Sequence, residues 1–157
     1  MKLPLEGGCR CDEVRIKLTE PPVMTAACHC NGCQRMSSSA FSMTAMCRSE
    51  TFSVIKGSTV VGGARGPELE HHFCPRCMTW MFTRITAYPA LVNVRPTMFD
   101  DHAWFEPFIE TYTKTKLPWA RTEAVHSFGE FPPMETFDDL MKQYASRQAF
   151  HLDDTKR

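Results

Sequence analysis

Eight cysteines stand in this 157-residue chain, and their grouping more than their number is what could do chemistry. Cys9 and Cys11 form a CxC, Cys28, Cys30 and Cys33 a CxCxxC, and Cys74 and Cys77 a CxxC, while Cys47 stands alone. Spacings this short suit a metal, because neighbouring thiolates converge on one ion, whereas such close pairs make poor disulfides. In an extended segment residues i and i+2 point to the same side, so Cys9 and Cys11 can share an ion, as can Cys28 and Cys30. His29 then points away from the metal its neighbours bind. The turn Cys74-Pro75-Arg76-Cys77 wraps two thiolates around one zinc. Pairing the CxC with the CxxC gives a closed four-thiolate site, the mark of structural zinc. Cys28, Cys30 and Cys33 are left with an open fourth position, the mark of a reactive one. The same residues also allow two closed sites, with Cys47 or a histidine completing the second. Cys47, in an apolar run that begins at Phe41, reads as a small core residue.

Other chemistries fit less well. The CxC spacing matches none of the ferredoxin patterns. A redox CxxC needs a βαβ context, and Cys74–Cys77 lies between strand-like runs. Gly57 to Gly66 holds four glycines without a phosphate-loop pattern and reads as a hairpin. There is no serine nucleophile elbow. His71 and His72 precede the CxxC on a strand, where alternation turns only one inward; His29, His102, His126 and His151 read as surface or structural residues. Eighteen basic and eighteen acidic residues leave a formal net charge of zero, which argues against a nucleic-acid binder. Seven thiolates on two Zn²⁺ would move that charge to roughly −3, further from such a role. No apolar run reaches membrane-spanning length. Met1 to Gly8 lacks the apolar stretch of a signal peptide, so the expected location is the cytoplasm.

The elements that must position these cysteines are short strands punctuated by turns. Val14, Ile16 and Leu18 alternate with Arg15 and Lys17 in a half-buried strand that stops before Pro21-Pro22. Phe41 to Met46, Phe52 to Lys56, Val60-Val61, Leu69 to Phe73, Met81 to Ile85, Leu91 to Val94 and Phe108 to Thr113 complete a mostly antiparallel set. Near the C-terminus the period changes. Phe137, Leu140, Met141 and Tyr144 recur at helical spacing, which predicts an amphipathic helix over Phe137 to Arg147 with Thr136 as N-cap and Asp139 completing a weak capping box. Its apolar stripe is expected to pack on the sheet, with a homodimer contact as the alternative. The charged tail after Phe150 is expected to fray. A chain of this size forms one core, with residues 1–132 as a zinc-binding β domain and 133–157 as a helical extension packed on it.

The joint pattern resembles the glutathione-dependent formaldehyde-activating enzyme family, which includes relatives of S-(hydroxymethyl)glutathione synthase and of centromere protein V. The resemblance rests on Gly8-Cys9-Arg10-Cys11, Cys28-His29-Cys30-Asn31-Gly32-Cys33-Gln34-Arg35, Phe73-Cys74-Pro75-Arg76-Cys77 and Lys114-Thr115-Lys116-Leu117-Pro118-Trp119, in order across residues 5 to 132. It implies an all-β, tent-like arrangement of antiparallel sheets held by zinc knuckles. It implies two zinc ions, a structural one on Cys9, Cys11, Cys74 and Cys77 and a reactive one on Cys28, Cys30 and Cys33. Two departures stand out. Ser37-Ser38-Ser39 replaces a Ser-Gly-Ser or Thr-Gly-Ser, and Met78 follows the knuckle where the family has Gly. In each case a residue free to adopt positive φ has been lost. A left-handed non-glycine costs roughly 1–2 kcal/mol, which a zinc site worth roughly 10–16 kcal/mol absorbs.

By this resemblance the activity would be that of a carbon–sulfur lyase. A thiol of the glutathione type is captured at the open zinc and joined reversibly to formaldehyde as its S-hydroxymethyl adduct. Zinc lowers a thiol's pKa, and three thiolates damp its Lewis acidity, so the site favours a nucleophilic sulfur over activated water. Arg35, Ser37 and Ser39, beside the CxCxxC, and Arg76, in the knuckle, are candidates to meet the carboxylates of glutathione. Trp119 reads as a core residue. Two other classes remain open: a thiol-binding carrier without catalysis, and a zinc-stabilised interaction module.

Overall fold

The computed structural model describes residues 1–63 and 66–154, with side chains through residue 148. Eleven strands form two sheets among these residues. They are β1 (Leu5–Gly8), β2 (Arg15–Leu18), β3 (Met24–Cys28), β4 (Ser42–Arg48), β5 (Phe52–Lys56), β6 (Val60–Gly62), β7 (Leu69–Phe73), β8 (Trp80–Ile85), β9 (Leu91–Val94), β10 (Ile109–Thr111) and β11 (His126–Ser127). A short helix α1 (Asn31–Ser37) follows β3, and a longer one, α2 (Phe137–Asp154), ends the described chain. The protein is mainly β, as the sequence pattern implies. The sequence reading had no α1, β1, β3 or β11, because none carries a long enough periodic run.

The smaller sheet runs β1-β2-β5 and the larger β11-β10-β3-β4-β9-β8-β7-β6. The expected antiparallel pairing holds except at β10, which runs parallel to both β3 and β11. No hairpin can make that pairing; β10 returns across the sheet by a long connection and lays Thr111 beside Cys28. The β6–β7 pairing accounts for the glycine-rich hairpin, whose residues 64 and 65 lie outside the described set.

Leu5, Val14, Ile16, Leu18 and Phe52 of the smaller sheet and its turns pack against Ala45, Cys47, Phe82, Val92 and Val94 of the larger. Cys47 is fully buried there, a core residue as expected. Gly7 lets the smaller sheet approach the turn after β9, since a Cβ on it would collide with the Met98 carbonyl oxygen and with Phe99 Cα. The opposite face of the larger sheet carries Met24, Met46 and Ile109, which with Phe108 are covered by Leu140 and Tyr144 of α2. The apolar stripe thus packs on the sheet, and β4, covered on both sides, is buried at nearly every position.

Two details of α2 differ from expectation. It continues past Arg147 to Asp154, and the charged tail after Phe150 lies outside the residues whose side chains are described. Thr136 is not its cap. A 3₁₀ turn, Met134–Thr136, leads straight into the helix, and the Thr136 hydroxyl donates to the Pro133 carbonyl at 2.6 Å. Among the described residues no helix is long and apolar enough to cross a membrane.

Candidate metal centres

The cysteines gather into the two groups that their spacing suggests. The first joins Cys9 and Cys11, on the turn between β1 and β2, to Cys74 and Cys77, on the turn between β7 and β8. All four sulfurs lie within 4.8 Å of one another, with Cys9 and Cys11 at 3.6 Å and Cys11 and Cys74 at 3.7 Å. A zinc with four sulfurs at about 2.3 Å spans a tetrahedral edge of about 3.8 Å. The residues present therefore fit that ion, and all eight cysteines are free of disulfides.

Each half of this group is a tight turn and not the extended segment that the i, i+2 argument assumes. The Asp12 N–H donates to the Cys9 carbonyl, the Cys9 N–H to Val14, and the Val14 N–H to Cys9 Sγ at 3.4 Å. On the other side the Met78 N–H donates to the Cys74 carbonyl and the Cys74 N–H to Thr79. Asp12 (φ 58°) and Met78 (φ 54°) both take the left-handed conformation, so Met78 does what a glycine would have done. Burial pushes the Cys77 thiol up, but hydrogen bonds from the Thr79 hydroxyl and from backbone and thiol neighbours outweigh it and hold it at about 5. Arg76 is exposed on this turn, 3.9 Å from Glu13.

The second group is Cys28, Cys30 and Cys33, whose sulfurs also lie within 4.8 Å of one another and are each partly exposed. Cys28 ends β3, between Ser42 on β4 and Thr111 on β10. Cys30 caps α1, its sulfur accepting the Cys33 N–H at 3.3 Å, and Cys33 sits in the first turn. The Cys33 thiol beside Cys28 stabilises the Cys28 thiolate, and with the Thr111 hydroxyl brings it to about 5 despite burial; Cys33 is correspondingly pushed up. Three convergent sulfurs with an open side fit a zinc that keeps a position for another ligand.

His29, between two of these cysteines, is fully buried and turned the other way, as alternation requires. Its Nε2 lies 3.1 Å from Glu110 Oε2. Glu110 also receives Lys116 Nζ at 2.7 Å, the Thr122 hydroxyl at 2.7 Å and the Ser127 hydroxyl at 2.6 Å. Burial would raise its pKa, yet these donors hold it at about 2. An ionised carboxylate can only accept, so the His29 proton sits on Nε2. The His29 carbonyl accepts from Gln34 Nε2 (2.7 Å) and from the Thr115 hydroxyl (2.9 Å), and Gln34 also donates to the Thr115 carbonyl (2.9 Å). The Lys114–Trp119 segment thus braces the CxCxxC loop from behind. Trp119 itself is 71% exposed and not a core residue; the turn from Leu117 buries Ala120 in its place.

Arg35 and Ser39 lie exposed on and just after α1. The Ser37 hydroxyl closes that loop by donating to the Cys33 carbonyl at 2.7 Å, with the Phe41 carbonyl at 3.3 Å. Ser38, where the family has glycine, adopts φ 50° at the helix C-cap and donates its N–H to Gln34. Sequence reasoning had no part for Glu110, Gln34 or Thr115. A carboxylate inside the apolar run Phe108-Ile109-Glu110 is an anomaly that could have flagged the first.

A family profile described as glutathione-dependent formaldehyde-activating enzyme matches residues 4–115. The match covers well over half of the chain, and the chain belongs to that family. A crystal structure of a Rhodobacter sphaeroides protein, determined as a structural-genomics target, is similar in fold. It has a TM-score of 0.51 and 20% identity, covering 60% of this chain and 87% of the other. No curated protein matches the sequence.

Proposed function

We propose that this protein is a zinc-dependent carbon–sulfur lyase acting on a glutathione-type thiol adduct, interconverting a thiol plus formaldehyde and the S-hydroxymethyl thiol. The observation that carries the reading is the pair of cysteine groups, four thiols closed and three partly exposed, in a chain of this family. A zinc on Cys28, Cys30 and Cys33 would supply a fourth position at which a substrate sulfur is held as thiolate. The chain's own residues do the rest. Glu110, Lys116 and Thr115 hold the CxCxxC loop through His29, so the three sulfurs keep one arrangement. Arg35 and Ser39, exposed on and just after α1, would meet the charged ends of the thiol. The substrate sulfur's lone pair forms the new bond to the formaldehyde carbon, the carbonyl π pair moves to oxygen, and that oxygen takes the proton the thiol gave up. Cys9, Cys11, Cys74 and Cys77 would hold the second zinc, which ties the two sheets together.

Native mass spectrometry of zinc-loaded protein with and without glutathione tests this reading. Two zincs and one glutathione are expected, with the glutathione and one zinc lost in Cys30→Ala. A rate of adduct formation above the uncatalysed one then separates an enzyme from a carrier. Two zincs without glutathione binding would remove glutathione as substrate.

A further inference from the structure

Arg95 follows β9 and is 8% exposed, yet no carboxylate pairs with it among the described residues. Its guanidinium carbon sits 4.1 Å from the centre of the Trp80 ring, and one of its NH₂ groups donates to the Asn93 carbonyl at 3.2 Å. Its Nε has no partner. On β9, two residues back, Asn93 Oδ1 is buried and unpartnered too. Buried cations are normally paired, and leaving one without an anion is costly. A buried guanidinium whose Nε lacks a partner describes a site in want of an anion.

The sheet register places Arg95 with the open cysteines. Cys28 pairs with Ser42, and Met46 on the same strand pairs with Asn93, so Ser42, Asn93 and Arg95 share the face that carries Cys28. The register sets Arg95 opposite Thr44, two residues along β4 from the partner of Cys28, so the two Cα atoms lie about 12 Å apart across the sheet before the arginine side chain shortens the gap. Burial lowers the pKa of the guanidinium, to about 10, against the pull of the nearby Cys33 and Cys28. It stays charged at neutral pH. Its position is rigid: the Arg95 N–H donates to the Met81 carbonyl at 2.9 Å, and the following turn is clamped against Gly7.

We infer that Arg95 is the carboxylate-recognising part of the thiol site, selecting peptidic thiols whose carboxylate lies about one residue from the sulfur. The inference rests on reading Cys28, Cys30 and Cys33 as the sulfur-binding group. Arg95 donates to the carboxylate. Trp80 holds the guanidinium flat so that its fork faces the ligand.

Calorimetric titration of the full-length, zinc-loaded protein separates the alternatives, using three probes: glutathione, glutathione amidated at its glycine carboxylate, and S-methylglutathione. Arg95→Met should weaken glutathione binding roughly 10- to 100-fold, the scale of a charge-assisted hydrogen bond. The amide should bind weakly to the unaltered protein and be indifferent to the substitution, with two zincs retained in both proteins. Equal weakening of acid and amide, or of neither, overturns the assignment. If glutathione fails to bind while S-methylglutathione binds in an Arg95-dependent way, the sulfur reading falls and the carboxylate site stands. If neither binds, both fall. Should Arg95→Met not fold or not keep two zincs, Arg95→Lys carries the same comparison, with the charge kept and the fork lost.

Discussion

Glu110 concentrates more of the molecule's polar chemistry than any single cysteine, although it touches no metal ligand directly. It collects His29, Lys116, Thr122 and Ser127, and so connects the loop of the open cysteines to the chain segment behind it. Glu110→Gln removes the charge from a buried network and is expected to cost about 3 kcal/mol. The pH dependence has a definite sign. The folded pKa of about 2 lies below the ordinary 4.5, so the stabilisation is complete above about pH 4.5 and is withdrawn as pH falls towards 2. Urea titrations of the two proteins should therefore differ by a constant amount at neutral pH and converge below about pH 4.5. A gap that persists unchanged at pH 3 would show that hydrogen-bond geometry, not charge, is what Glu110 supplies.

At the scale of elements, the informative pieces are the turns. Ser38 and Met78 occupy left-handed positions where most of the family uses glycine, and both are exposed. Ser38→Gly and Met78→Gly should each raise stability by about 0.5–1 kcal/mol, the left-handed penalty less the extra freedom glycine brings to the unfolded chain. The check is a higher urea midpoint with an unchanged slope. These two positions were legible in the sequence because a motif fixed what the backbone had to do there. The strands with clean alternation were legible for a similar reason: Ile16 and Leu18 face one core and Arg15 and Lys17 do not. β3 was not, since Met24 to Cys28 is buried on both faces and shows no period. The parallel return of β10 was beyond reach because nothing local encodes which distant strand it joins. Arg95 was missed on the same ground. A lone arginine after a strand carries no mark of burial, and only the register across β4 brings it towards Cys28.

At the scale of the whole molecule, the four-cysteine group joins the smaller sheet to the larger one, while the three-cysteine group lies within a single strand-turn-helix. The first set needs residues some 63 positions apart to meet, so it pays a loop-closure entropy that the second avoids. In strong urea the metal retained by the chain should therefore sit on Cys28, Cys30 and Cys33. Bound zinc measured after gel filtration should fall in Cys30→Ala and be unaffected in Cys74→Ala. Equal losses in the two variants would mean that the unfolded chain holds zinc on both sets alike. The difference in span also bears on how the protein acquires its ions during synthesis. A nascent chain offers its six-residue cysteine cluster well before Cys74 has left the ribosome. The three-cysteine group would thus be filled while there is still no folded cavity to discriminate among cations, and thiolates alone bind copper in preference to zinc. Which ion the finished protein carries there would then be decided by the metal supply around the ribosome, with the completed fold only sealing in a choice already made.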